Sequence, residues 1–222
     1  MKPSIFLDLD GPLLDVSERY HRLHSDLVLA RGGQPLGREG YWLAKRDRIP
    51  ETEILIRSGL APEVAAEVAA ARLREIESHD YLRLDRPWPW TIPTLTSLAG
   101  LAPLVLVTAR SHPDRVAWQL EHLDLSGHFT RVVAGRGDES LQAKAHLLRT
   151  EGFTTFTGSV IVGDTEVDLA SGRSLGLVTI ALACGIRSPA LLSAWAPDLL
   201  LEDLRQVPDG LRSLGWPPAE PS

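Results

Sequence analysis

The stretch Ile5-Phe6-Leu7-Asp8-Leu9-Asp10-Gly11-Pro12-Leu13-Leu14 decides how the rest of this chain is read. It opens as a short apolar run with the composition of a buried strand. It ends in two carboxylates two residues apart, followed by a glycine. Alternate residues of a strand point the same way, so Asp8 and Asp10 are expected to project together from one strand end. Two like charges there cost free energy unless a cation or a shared proton neutralises them. The pair therefore asks for a metal. A plainer reading is a strand running into an acidic turn, since Asp-Gly is a common turn dipeptide.

Composition narrows the classes. A chain of 222 residues, 44% hydrophobic and 23% charged, can bury a full core. Its net charge of -6 and lack of a basic stripe argue against nucleic-acid binding. Lys45, Arg46 and Arg48 form the densest basic cluster, a pattern common on solvated helix faces. Cys184 is the only cysteine, so there is neither an internal disulfide nor a cysteine metal cluster, as expected in a reducing cytoplasm. Asp8 and Asp10 interrupt the apolar run near the start, unlike a secretory signal core. No stretch approaches the ~18 apolar residues of a membrane helix. The expectation is a soluble cytoplasmic protein, monomer or homodimer.

Six apolar runs read as strands: residues 5–9, 104–108, 131–134, 160–162, 177–181 and 199–201. Helical patterns lie at 113–123, 140–151, 166–175 and 189–195. Continuous rather than alternating apolar runs suit parallel strands covered on both faces, so the expected fold is α/β, a doubly wound, mostly parallel sheet. Residues 16–90 hold no strand-like run and far exceed the dozen residues a crossover needs, which makes them an inserted helical module. Within it, Ala65, Val68, Ala69, Leu73 and Ile76 are expected on one buried face of a helix over 62–78, with Pro62 in its first turn. The segment Arg86-Pro87-Trp88-Pro89-Trp90 closes the module as a stiff hinge in which the tryptophans pack. The expected division is a core of residues 1–15 and 91–215, an inserted unit of 16–90, and a disordered proline-rich tail at 216–222.

Three more features fall at strand ends. Thr108-Ala109-Arg110 follows one strand, Gly163-Asp164-Thr165-Glu166-Val167-Asp168 follows another, and Lys144 sits near the start of a helix between them. Ligands bind outside the carboxyl ends of parallel strands where the strand order reverses. If the first, second and fourth strands are adjacent, Asp8, Thr108 and Asp164 meet there. Four acids with a hydroxyl and a lysine fit a hard, oxygen-ligated cation holding a phosphate. Taken singly, Thr108 reads as a helix cap, Lys144 as a surface lysine, Asp164 as a cap and Asp168 as exposed helix polarity. Their joint order is what speaks for a site.

In that order the motifs resemble the haloacid-dehalogenase-like (HAD) hydrolase superfamily, most of all its phosphoglycolate-phosphatase-like branch with a helical cap inserted after the first strand. The resemblance spans nearly the whole chain and implies a Rossmann-like core and a Mg²⁺-dependent phosphatase acting on small phosphorylated metabolites. It further implies Asp8 as nucleophile and metal ligand, and Asp10 as general acid/base with its carbonyl on the metal. Thr108 and Lys144 would hold the phosphate, with backbone donors from Gly11 and Ala109. Asp164 would complete the metal shell, and Asp168 would be a ligand or would orient its neighbours. On the cap, Lys45 or Arg46 would meet a second anionic group of the substrate.

Two departures stand out. The family usually carries threonine where this chain has Pro12, which removes a hydroxyl and an N–H. The position after Thr108, often polar in the family, is Ala109, and Arg110 beyond it reads either as an anion contact or as an exposed structural arginine. A phosphoglucomutase-like phosphotransferase shares the core motifs and remains an alternative, as does a catalytically weakened phosphate-binding protein. A dehalogenase would not need the second acid at Asp10. A receiver-type phosphorelay module would lack the large insertion.

Overall fold

The continuous apolar runs become the strands. The computed structural model describes residues 3–136 and 140–216. Its strands are β1 (Ile5–Leu7), β2 (Leu14–Asp15), β3 (Arg86–Pro87), β4 (Leu104–Thr108), β5 (Arg131–Ala134), β6 (Val160–Gly163), β7 (Val178–Leu182) and β8 (Leu199–Leu201). Six of them form one sheet in the order β5-β4-β1-β6-β7-β8, every neighbouring pair parallel. All residues of β1, β4 and β6 are buried, which is why their sequences show no polar alternation.

The strand order creates the site. From β1 the chain runs outward through β4 to β5, then returns to β6 on the other side of β1. The reversal therefore falls at β1, and the carboxyl ends of β4, β1 and β6 lie side by side at the switch point. Phe6 pairs in register with Val105 and Ile161. These three anchor a core cluster completed by Val107, Val133, Leu148, Phe153 and Leu177.

The described residues divide into two compact units, one of them Asp15–Arg86 and the other the residues on either side of it. The two-residue strands β2 and β3 stand where the chain passes from one to the other. The sheet unit also carries α6 (Thr91–Ala99), α7 (Pro113–His122), α8 (Ala143–Thr150), α9 (Glu166–Leu175), α10 (Pro189–Ser193) and α11 (Val207–Ser213). Helix α9 presses on β6 through Gly172, where a Cβ would come within 2.4 Å of Ile161.

The inserted unit is helical: α1 (Ser17–Leu29), α2 (Arg38–Arg46), α3 (Glu51–Arg57), α4 (Pro62–Glu75) and α5 (His79–Leu82). Leu23, Leu27, Val28, Leu55, Leu60, Ala65 and Val68 form its main core. One expected face is rotated. Ala65 and Val68 are buried and Ala69 and Ile76 pack beside them, but Leu73 is 67% exposed. Ala71 and Arg72 complete the buried arc instead. Arg72 can lie inside because Glu51 is 3.5 Å away and the Tyr20 ring lies beneath its guanidinium.

A second expectation is corrected at the other end of the chain. Trp216, read as part of a disordered tail, is buried, and its indole N–H donates to the Gly158 carbonyl. Residues 217–222, the rest of that expectation, lie outside the described residues.

Candidate active site

The strand expected to run to Leu9 stops at Leu7. Asp8 continues the sheet by one bond, its amide donating to the Val162 carbonyl at 3.0 Å. Beyond it the chain turns. Gly11 takes φ +103°, its N–H donates to Leu14 at 3.0 Å, and its carbonyl accepts from the Trp88 indole at 2.8 Å. Asp8 thus belongs to the strand end and Asp10 to the turn that follows, close enough for its charge to act on Asp8.

Asp8 belongs to a buried chain of charges. Lys144, on the first turn of α8, places Nζ 2.6 Å from Asp8 Oδ1 and 2.5 Å from Asp168 Oδ1. The second oxygen of Asp168 accepts from the amides of Asp164 and Thr165 and from the Thr165 hydroxyl at 2.7 Å. Asp168 thus caps α9 and steers Lys144 at once. The readings of Lys144 as a surface lysine and Asp168 as exposed helix polarity both fail, since both side chains are buried.

Asp164, at the end of β6, is fully buried. Its Oδ2 accepts the Ile186 amide, while its Oδ1 has no hydrogen-bond partner among the described residues. Two glycines make room for the carboxylate: a Cβ on Gly11 would lie 2.1 Å from Asp164 Oδ2, and one on Gly185 1.9 Å from it. The Gly11 N–H is spent on its own turn, so Gly11 acts as clearance and does not offer the phosphate donor expected of it.

Burial pushes the Asp8 carboxyl up, the Lys144 ammonium pulls it back, and Asp168 and Asp10 push again, leaving it at about 7. Asp164 is held well above the usual carboxylate range by burial and by the charges of Asp8 and Asp168. Burial opposes the charge on Lys144, yet Asp168 and Asp8 outweigh it and hold the amine above its ordinary value. One buried cation therefore answers three buried carboxylates, whose oxygens lie within 4.8 Å of one another.

That charge deficit, the unpartnered Asp164 Oδ1 and an all-oxygen donor set fit a hard divalent cation such as Mg²⁺. Asp10 lies outside this cluster. Both its oxygens accept from Arg110, Oδ2 from Nε at 3.0 Å and Oδ1 from Nη2, and Nη1 of the same guanidinium donates to Gln119 on α7. Arg110 is buried, which corrects its reading as an exposed structural arginine.

Thr108 ends β4 as a buried residue, one strand over from Asp8, and Ala109 beside it is exposed. In the inserted unit, Lys45 pairs with Glu51 at 3.0 Å, and Arg46 is half-buried. Sequence reading missed Gln119, Gly185, Ile186 and the Trp88 indole. Only the glycine carried a local signal, a small residue just past the end of β7.

Among known proteins, the HAD-hydrolase-like family profile matches residues 141–207, which include Lys144, Asp164 and Asp168. The phosphoglycolate phosphatase of Rhodobacter capsulatus is 23% identical over 207 residues, 86% of this chain and 89% of the relative. That of Pseudomonas putida is 26% identical over 225 residues, 93% and 78% respectively. A haloacid-dehalogenase-like family hydrolase from Streptococcus pneumoniae superposes with a TM-score of 0.73 at 21% identity, covering 95% of this chain and 98% of that one. No helix among the described residues is long and apolar enough to cross a membrane.

Proposed function

We propose that this chain, a phosphoric monoester hydrolase of the HAD superfamily, releases phosphate from small phosphate esters through an aspartyl-phosphate on Asp8, with Mg²⁺ as cofactor. The observation that carries the reading is the buried line Asp8–Lys144–Asp168 beside the unpartnered oxygen of Asp164, all at the switch point.

The geometry supports the following division of labour. The Leu9 amide, at 2.8 Å, and Lys144 both hold Asp8 Oδ1, leaving Oδ2 as the attacking oxygen. Its lone pair forms the new bond to phosphorus as the bond from phosphorus to the leaving oxygen breaks. Asp10 gives that oxygen its proton, then takes one from the water that cleaves the acyl phosphate. Lys144 and the Thr108 hydroxyl answer the charge spread over the phosphoryl oxygens, and Asp168 keeps Lys144 aimed. Asp8, Asp164 and the Asp10 carbonyl would hold Mg²⁺, which supplies positive charge to the phosphoryl group and relieves the repulsion among the carboxylates. Asp168 has both oxygens committed to the protein and would stand behind the metal ligands.

The phosphoglycolate phosphatases related to this chain support a short ester carrying a second anionic group. In the inserted unit Lys45 and Arg72 both face Glu51, at 3.0 and 3.5 Å, and Arg46 follows Lys45 at the end of α2. We assign that second group to Lys45 and Arg46. The test is phosphate release from a panel of small esters with Mg²⁺. Activity in the wild type, with loss of at least about a thousandfold in Asp8→Asn, supports the reading. Full activity in Asp8→Asn overturns it.

A further inference from the structure

We infer that Arg110 is a positioning residue that holds the Asp10 carboxylate in its working direction, and that Gln119 holds Arg110. The inference rests on the proposed phosphatase reading and adds to it a residue that the motif pattern does not include.

The geometry is a fork. Nε and Nη2 of Arg110 each donate to a different oxygen of Asp10, and Nη1 donates to the carbonyl oxygen of the Gln119 side chain. Two parallel bonds from a planar guanidinium fix both the distance and the plane of a carboxylate, which a single bond or a lysine does not. The anchor is rigid as well. Gln119 is fully buried on α7, and Arg110 is only 5% exposed. Stability does not account for such a pair, because burying a guanidinium costs about what its pairing returns, and an apolar side chain would pack as well. A fixed direction for Asp10 does account for it.

The fork reaches Asp10 from 100 residues away, off the end of β4. Ala109 points to solvent and Arg110 inward, so the side chain two positions past Thr108 is the one that reaches Asp10.

The consequence separates two kinds of substrate. An alkyl phosphate needs a proton on its leaving oxygen as the bond breaks, whereas p-nitrophenolate leaves without one. The experiment compares kcat/KM for phosphoglycolate and for p-nitrophenyl phosphate in wild type, Arg110→Met, Arg110→Lys and Gln119→Leu. In Arg110→Met, kcat/KM for the alkyl ester is expected to fall at least about tenfold more than for the aryl ester. The aryl reaction should show a burst of p-nitrophenolate followed by slow turnover, because the same carboxylate activates water in the second step. Arg110→Lys should recover part of the loss, and Gln119→Leu, which keeps the charge, should show a smaller loss of the same pattern. Equal falls for both esters, or no fall for either, overturn the positioning role. If Arg110→Met does not fold, the same ratio in the other two variants decides. A wild type that releases phosphate from neither ester, tested alongside further esters, would count against the phosphatase reading itself and is thereby distinct from a failure of this inference.

Discussion

Asp164→Asn should make the metal-free protein more stable while abolishing its response to Mg²⁺. Asp8, Asp164 and Asp168 place oxygens within 4.8 Å of one another, and Lys144 pairs with Asp8 and Asp168. At that separation a pair of like charges repels by about 3.5 kcal/mol with an effective dielectric of ~20. Proton uptake relieves part of this, since burial and the neighbouring charges already raise Asp8 to about 7 and Asp164 well above its usual range. Both groups are more acidic in the unfolded chain, so the folded protein binds more protons between about pH 4 and pH 7, and metal-free stability falls as pH rises through that window. The asparagine amide removes one charge and retains an oxygen for the Ile186 N–H. The expected gain at pH 8 is about 1–3 kcal/mol, or roughly 3–10 °C in Tm for a chain of this size. Mg²⁺ at a hundredfold excess over its Kd should add about 2.7 kcal/mol to the wild type and nothing to the variant. Thermal unfolding in EDTA and in MgCl₂, at pH 5 and pH 8, reads all of this. A variant less stable than the wild type in EDTA, or one that Mg²⁺ still stabilises, would refute the reasoning.

Gly185→Ala places a Cβ 1.9 Å from Asp164 Oδ2, so the carboxylate must swing away from its seat. A displacement of about 1 Å at such a position is expected to lower kcat roughly a hundredfold and to blunt the Mg²⁺-induced rise in Tm. Lys144→Met removes the cation bridging Asp8 and Asp168 and should destabilise the metal-free protein by about 3–5 kcal/mol at pH 8, by urea unfolding. The loss should shrink at pH 5, where Asp8 takes up a proton, and phosphate release should fall at every pH. Lys45→Ala should raise KM for phosphoglycolate several-fold more than for p-nitrophenyl phosphate, in parallel initial-rate assays.

Sequence legibility here follows the range of the signal. Strands β1, β4 and β6 could be read because each is a short apolar run, and Asp8, Thr108 and Asp164 because each stands at the end of such a run. Their convergence needed only the adjacency of three strands, which the observed order provides. Lys144 was legible only in company, since nothing near it in sequence says whether it faces water or Asp8. What could not be read depended on partners far along the chain. Arg72 displaces Leu73 from the buried arc of α4 because Tyr20 and Glu51 receive its charge, and a hydrophobicity pattern places leucine inside by default. Arg110 could be singled out but its partners could not, and Gln119 was not seen at all, because a buried guanidinium is recognised by its acceptors and those lie elsewhere in the chain. Trp216 was hidden by the prolines after it, although one buried indole bond to Gly158 suffices to seat it.

The central claim is that Asp8 carries the phosphoryl group. An Asp10→Asn variant, mixed with substrate and Mg²⁺ and then quenched in acid, should retain one phosphoryl group by mass spectrometry, because the residue that activates water has been removed. The label should map to the peptide containing Asp8 and should be released by hydroxylamine, as an acyl phosphate is. A label on any other residue, or no label from p-nitrophenyl phosphate, whose leaving group needs no proton from Asp10, would contradict the account.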